Sequence, residues 1–226
     1  MKVRKRNGDL DEVSFDKILH RVKKLAIEAD IKINFAELVM KVIDQLYDGI
    51  DTTKIDELTA EQCASQSTDH INYSILASRV IISNHQKNTG NTFFQTMTLL
   101  YNFRDVNDEH KPMISEEFYN NCLKYGSEIE DMIDYNRDYN IDYFGFKTLE
   151  KSYLLKINKV IVERPQYLFM RVALCIHRDN LEKAFETYDH ISNKDFIHAT
   201  PTLFNAGTHK EQLASCFLLS MKDDSV

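Results

Sequence analysis

Lys5 and Arg6 stand beside Asn7-Gly8, shortly before a stretch, Ser14–Lys17, that reads as the start of a helix. Cationic side chains pair with phosphate oxygens. Free backbone N–H groups at a helix start favour negative charge. Together these residues could gather a chain of phosphates. The plainer alternative is a solvated edge strand blunted by its basic residues, and spacing alone leaves both readings open.

A second constellation lies further on, at Thr200-Pro201 and Ser215-Cys216. Small hydroxyls ahead of a buried strand can hydrogen-bond ligand oxygens. A cysteine at a strand start could be redox-active, or it could be a core thiol, since free cysteine is among the most buried residue types. Cys63, Cys122 and Cys175 fall within helical patterns and read as core. The eight histidines are dispersed, with no His-x-x-x-His or Glu-x-x-His pair, so metal binding has no support. Neither phosphate-cradling glycine motif occurs, so any nucleotide site must use another cradle.

The elements that must position these residues read as helices. The chain has 226 residues, 43% apolar and 11% aromatic, enough for one large domain or two ordinary ones. Only six glycines and three prolines are present, too few turn residues for a sandwich or barrel of many short strands. The formal charge of −7 argues against a whole-surface nucleic-acid binder. No run of 18 apolar residues could span a membrane. The basic opening Met1–Arg6 has no apolar run behind it, unlike a secretory signal. The cysteines are widely spaced, which suggests neither a disulfide framework nor a zinc motif. The expected location is the reducing cytoplasm.

Asn7-Gly8 between two extended runs predicts a hairpin over residues 2–13, with both turn positions at positive φ. Ser14 reads as an N-cap for a helix to about Glu28, and Asn34 to Glu37 as a capping box for a second helix. Gly49 is the expected stop of that helix, with a short strand at Ile50 to Thr53. Helices are predicted at Lys54–Cys63 and Ile71–Lys87, closing a unit near residue 90. Further helices are predicted at Thr92–Asn102, Ser115–Tyr125, Phe146–Leu155, Gln166–His177 behind Pro165, and Leu181–Ser192 behind Asn180. Asp134–Tyr143 reads as a polar surface loop and His198–Gly207 as a loop. Ser215–Met221 reads as a buried strand, and with no strand pattern after it the chain looks truncated.

The residues carry a family resemblance. Val3-Arg-Lys-Arg-Asn-Gly-Asp and Val13-Ser-Phe-Asp-Lys-Ile18 resemble the ATP-cone, a regulatory nucleotide-binding module. Tyr143-Phe-Gly-Phe-Lys-Thr-Leu-Glu, Glu163-Arg-Pro-Gln-Tyr-Leu, His198-Ala-Thr-Pro-Thr-Leu-Phe-Asn-Ala-Gly207 and Ser215-Cys-Phe-Leu-Leu-Ser-Met are similar to the class I ribonucleotide reductase large subunit. The likeness is to its eukaryotic and large-DNA-virus type and covers the whole chain.

The resemblance implies a mainly α fold: an ATP-cone over residues 1–90, a helical region over 91–214, and the start of a ten-stranded α/β barrel over 215–226. It implies that ATP or dATP, with magnesium accompanying the nucleotide, binds as an activity effector through Lys5 and Arg6, through Asp11, Glu12, Val13, Ser14, Phe15, Asp16 and Lys17, and through Thr52, Asp56 and Lys87. Thr200, where the family often has Ser, and Ser215 would contact a ribonucleoside diphosphate. Cys216 would be the first of two redox cysteines. Asp224, Ser225 and Val226 would open a specificity site for a deoxynucleotide. The radical would come from a separate metal-containing small subunit, and the radical cysteine is not in this chain. The implied partners are that small subunit, the remainder of the large subunit, and further copies in a homo-oligomer, with no membrane and no direct nucleic-acid contact. The chain alone should not turn over. The alternative is a stand-alone nucleotide-sensing module without catalysis.

Overall fold

The structure, a computed structural model, describes residues 1–220. In chain order, β1 (Lys2–Arg4) and β2 (Leu10–Glu12) form a hairpin, followed by α1 (Phe15–Ile27), α2 (Phe35–Ile43) and β3 (Ile50–Asp51). Next come α3 (Thr52–Ser65), α4 (Ile71–Asn88), α5 (Phe93–Tyr101), α6 (Glu116–Lys124) and α7 (Gly126–Met132). A 3-10 turn (Tyr135–Asn140), α8 (Tyr143–Thr148) and a π turn (Leu149–Tyr153) lead to the hairpin β4 (Lys156–Ile157) and β5 (Val160–Ile161). The series ends with α9 (Pro165–His177), α10 (Leu181–Ser192) and α11 (Thr200–Asn205).

Two compact units result. Unit 1 holds residues 1–89 and 136–152; unit 2 holds 90–135 and 153 onward. In unit 1, β1 pairs antiparallel with β2 and parallel with β3, giving the order β2-β1-β3. Side chains alternate across a strand, so Val3 and Ile50, which are directly paired, both point inward and are buried. They meet Val42, Leu46 and Ile55 in one small cluster. A larger cluster joins α1 to α4 through Val22, Leu25, Leu38, Ala60, Leu76 and Val80.

Local signals account for most helix starts. Ser14 accepts from Lys17 N at 3.3 Å, Asn34 from Glu37 N at 3.3 Å, and Asn180 from Lys183 N at 3.2 Å. Thr92 and Ser115 cap α5 and α6 in the same way. Each such cap contributes roughly 1 kcal/mol. Pro165 occupies the first turn of α9, where its missing N–H costs nothing. That helix is buried on every face from Pro165 to Cys175, making it the centre of unit 2.

Several expectations are corrected. The first hairpin closes over five residues, with Gly8 N donating to Lys5 O at 2.9 Å and Lys5 N to Asp9 O at 2.8 Å. Only Gly8 there has positive φ, at +90°; Asn7 does not, because a longer loop needs one left-handed residue rather than two. The two-residue arrangement is found instead at Asn158-Lys159, with φ of 49° and 69°, between the unanticipated β4 and β5. Helix α2 ends at Ile43, and Gly49, at φ +80°, turns the chain into β3. Helix α7 was not anticipated.

Asp134–Tyr143 is not a solvated loop. Asp138 is fully buried, and Gln86 Nε2 donates to its Oδ2 at 2.8 Å. Arg79 lies 4.5 Å above the Tyr139 ring, while Tyr143 and the fully buried Phe146 join the larger cluster. Polar side chains there are buried because α4 supplies their partners. His198–Gly207 contains α11, begun by Pro201 in its first turn. Among the described residues, 211–220 contain no strand, and Phe217, Leu218 and Leu219 are exposed. A strand needs neighbours for its N–H and C=O groups, and no described segment pairs there. The rest of that expected strand, Met221, lies outside the described residues.

Candidate functional site

Within unit 1, a cleft of about 180 Å³ opens between the hairpin, α1 and the facing ends of α3 and α4. Its apolar floor includes Val3, Val13, Ile18 and Ile55. Its charged wall holds five cations, Lys5, Arg6, Lys17, Arg21 and Lys87, against three carboxylates, Asp11, Glu12 and Asp56. The excess is positive in a chain whose net charge is −7.

Two carboxylates organise the cations. At the mouth, Asp11 Oδ2 accepts from Lys5 Nζ and from Lys17 Nζ, both at 2.8 Å. The bonds from Lys17 and then Lys5 hold the Asp11 carboxyl well below the usual carboxylate range. Its bond raises Lys5 above the ordinary lysine value. Deeper in, Asp56, whose side chain is only 10% exposed, accepts from Arg6 Nη2 and Arg21 Nη2, each at 3.3 Å.

Arg6 is also tied to the end of α4. Its Nε donates to Asn88 Oδ1 at 2.8 Å and its Nη2 to Asn84 Oδ1 at 2.5 Å. Arg21 Nη2 donates to Ser83 Oγ at 3.0 Å. Lys87 has no ion-pair partner among the described residues. Its ammonium is pushed below the ordinary lysine value, first by desolvation and then by the neighbouring Arg21 cation. An anion entering the cleft would relieve that strain.

Two helix starts face the same space. Ser14 and Lys17 come from the first turn of α1, and Thr52 is the first residue of α3. The α3 N-cap, Asp51, makes no side-chain capping bond, so the first N–H groups of α3 have no side-chain acceptor from it.

Most of the effector residues expected from the sequence therefore converge. Lys5, Arg6, Asp11, Glu12, Val13, Ser14, Lys17, Thr52, Asp56 and Lys87 all line the cleft. Phe15 and Asp16 do not: Phe15 packs against the unit 1 core, and Asp16 is exposed on the first turn of α1. Arg21, Ser83, Asn84 and Asn88 were missed. Arg21 had a signal, since it follows Lys17 by one helical turn and must share its face.

Residues 1–88 match the ATP cone domain, and residues 139–211 match the ribonucleotide reductase all-alpha domain. Along its whole length the chain is 47% identical to the ribonucleoside-diphosphate reductase large subunit of Plasmodium falciparum and 47% identical to that of Danio rerio. It is 48% identical to the protein of the same name from variola virus. The chain thus carries an ATP cone domain and a ribonucleotide reductase all-alpha domain, and it is similar to part of the ribonucleoside-diphosphate reductase large subunits. It spans 28%, 29% and 30% of the length of those three relatives.

The ATP cone match thus contains the whole cleft. The other residues expected to act in a reductase lie in unit 2 and are not gathered into a comparable site. Thr200 Oγ1 is 3.0 Å from Tyr153 Oη at the start of α11. Ser215 and Cys216 sit on an exposed segment without regular secondary structure, with Ser215 Oγ 3.8 Å from Cys216 Sγ. That segment is anchored just upstream, where Thr202 Oγ1 donates to Leu213 O at 2.9 Å and Asn205 Nδ2 to Gln212 O at 2.8 Å. Asp224, Ser225 and Val226 lie outside the described residues. Among the described residues, no helix is long and apolar enough to cross a membrane.

Proposed function

We propose that unit 1 binds ATP or dATP in its cleft and acts as the overall-activity control of a ribonucleoside-diphosphate reductase. One observation carries this reading: Lys5, Arg6, Lys17 and Lys87, from three separated parts of the chain, converge with the start of α3 on one cleft. Triphosphate oxygens would take charge-assisted bonds from these cations. The purine would lie against Val13, Ile18 and Ile55. Magnesium accompanies such nucleotides. Among the described residues no group of three or more His, Cys, Asp or Glu is placed to hold a metal ion, so the cation is assigned no protein ligand here.

The reductase chemistry belongs to a larger assembly. In this reading Thr200 and Ser215 contribute to the ribonucleoside diphosphate site. Cys216 and a second thiol give two electrons and two protons to the ribose 2′ position, which loses its hydroxyl as water while the thiols join as a disulfide. Cys63, Cys122 and Cys175 are poor candidates for that second thiol, because all three are buried. Desolvation pushes Cys63 up to about 12 and Cys175 up to about 11. A small subunit would supply the radical, and copies of the large subunit would associate. Cytoplasmic placement follows the same reading.

Calorimetry of the 226-residue chain with ATP and with dATP tests the proposal. Both nucleotides should bind, and Lys5→Ala/Arg6→Ala should weaken both while leaving the fold intact. No binding by the intact chain would sink the reading. The same chain should show no ribonucleotide reduction alone, and measurable turnover would overturn that part.

A further inference from the structure

Arg171 and Arg21 both meet a carboxylate inside the fold, and they differ in kind. Arg171 in unit 2 is used up. Its Nε and Nη2 bond Glu163 at 2.7 and 3.1 Å, its Nη1 donates to Ala206 O at 2.5 Å, and its Nη2 also reaches Leu203 O at 3.3 Å. Both partners of that pair are fully buried. Such a pair holds elements together and offers nothing to a ligand.

Arg21 in unit 1 is built differently. Its contacts to Asp56 are long, 3.5 Å from Nε and 3.3 Å from Nη2, against the 2.7–2.9 Å of a well-formed charge-assisted bond. Asp56 is shared with Arg6, so one negative charge faces two positive ones. Ser83 takes the remaining Nη2 contact at 3.0 Å. Arg21 Nη1, with two N–H groups, has no protein partner among the described residues. The side chain lines the cleft and is 21% exposed. It also stands one turn beyond Lys17 on α1, so the helix carries these two cations down one wall of the cleft.

We infer that Arg21 is a phosphate-binding residue of the cleft, held by Asp56 and Ser83 so that Nη1 faces the phosphate chain of the nucleotide. This deepens the reading of the cleft as a nucleotide site and rests on it. Asp56 then acts as the counter-ion that keeps two guanidinium groups side by side before the ligand arrives. Without it, like charges would drive Arg6 and Arg21 apart. The unrelieved Lys87 ammonium beside them is a further sign that this end of the cleft is short of negative charge.

The test compares ATP, ADP and AMP binding by calorimetry, using the whole 226-residue chain and its Arg21→Gln and Arg21→Lys variants. Removing a charge-assisted phosphate contact should weaken ATP roughly tenfold or more. AMP, whose single phosphate does not extend along the wall, should weaken less than about threefold. Arg21→Lys keeps the charge but loses the planar fork, so its ATP affinity should fall between the other two. Thermal melting checks that each variant is folded. A folded Arg21→Gln with wild-type ATP affinity would overturn the inference, and so would equal weakening of ATP and AMP. If Arg21→Gln does not fold, Arg21→Lys decides alone, because unchanged ATP affinity there overturns it. Failure of the wild-type chain to bind ATP removes the cleft reading itself and is told apart by that first titration.

Discussion

Arg171 grips Glu163 with two sides of its guanidinium, Nε 2.7 Å from Oε1 and Nη2 3.1 Å from Oε2, and neither side chain has any exposure. The pair is a junction for three pieces of unit 2. Leu155 N, beside the β4–β5 hairpin, donates to Glu163 Oε2 at 3.0 Å, while the guanidinium reaches the carbonyls of Leu203 on α11 and of Ala206, which caps that helix. A buried pair adds little over an apolar replacement, yet removing one partner leaves an uncompensated charge. Glu163→Gln should therefore cost about 3–5 kcal/mol of unit 2 stability by urea denaturation. Lys183→Ala, at an exposed pair with Glu186, should leave stability nearly unchanged in the same assay. Equal effects of the two would contradict this account of the junction.

The cleft predicts an acid limb with a definite sign. Asp11 sits at 2.8 Å from both Lys5 and Lys17, which holds its carboxyl below the usual range. A depressed carboxyl contributes stability above its unfolded value, roughly 4, and that contribution is lost as pH falls towards the folded value. Wild type should therefore lose hairpin protection in acid faster than Asp11→Asn, as read by amide exchange at Lys5 and Val13, whose N–H groups donate across the hairpin to Asp9 O and Met1 O. At neutral pH the same variant frees two lysines, and ATP affinity should rise by up to about fivefold, the scale of an exposed ion pair. Weaker ATP binding by Asp11→Asn would mean that the carboxylate itself contacts the ligand.

These features differ in how far they could be read from the sequence. The caps at Ser14, Asn34 and Asn180 were legible because a cap is a contact three residues long. The cationic hairpin and Lys87 were legible as a site only through family resemblance, since they stand far apart in the chain. Arg21 was legible only in part: its place one turn beyond Lys17 puts it on the same face of α1, but its partner Asp56 is 35 residues away and nothing local marks the pair. The segment Asp134–Tyr143 misled for a related reason. Its polar and tyrosine-rich character suits water, but Gln86 and Arg79 on α4 provide the contacts that let it pack into unit 1. The expected strand at Ser215 misled in the other direction: its apolar run is real, but a strand depends on neighbours that no described residue supplies.

Thiol accessibility separates the four cysteines sharply. Cys63, Cys122 and Cys175 are buried and raised by desolvation, whereas Cys216 is exposed. The thiolate is the reacting form, so burial removes both access and nucleophile. Iodoacetamide at neutral pH should modify one cysteine of the native chain, located at Cys216 by peptide mass mapping, and four after unfolding in guanidinium. Early modification of Cys122 would show that α6 opens far more readily than its packing allows.

The β4–β5 hairpin carries local strain that can be removed. Asn158 and Lys159 both have positive φ, 49° and 69°. Asparagine tolerates that region, but lysine pays a steric penalty there because its Cβ crowds the backbone. Glycine has no Cβ and adopts positive φ freely. Lys159→Gly should therefore stabilise unit 2, by about 0.5–1 kcal/mol after the extra chain entropy of glycine in the unfolded state is set against the strain relieved. The reverse substitution at the first hairpin supplies the control. Gly8, at φ +90°, has open space around it, so Gly8→Ala would meet no clash and its cost would be the backbone's alone. It should destabilise by about 1 kcal/mol. Opposite signs for the two variants in thermal melts would tie both effects to backbone conformation; a loss of stability in Lys159→Gly would mean that the lysine side chain makes a contribution larger than the strain its backbone carries.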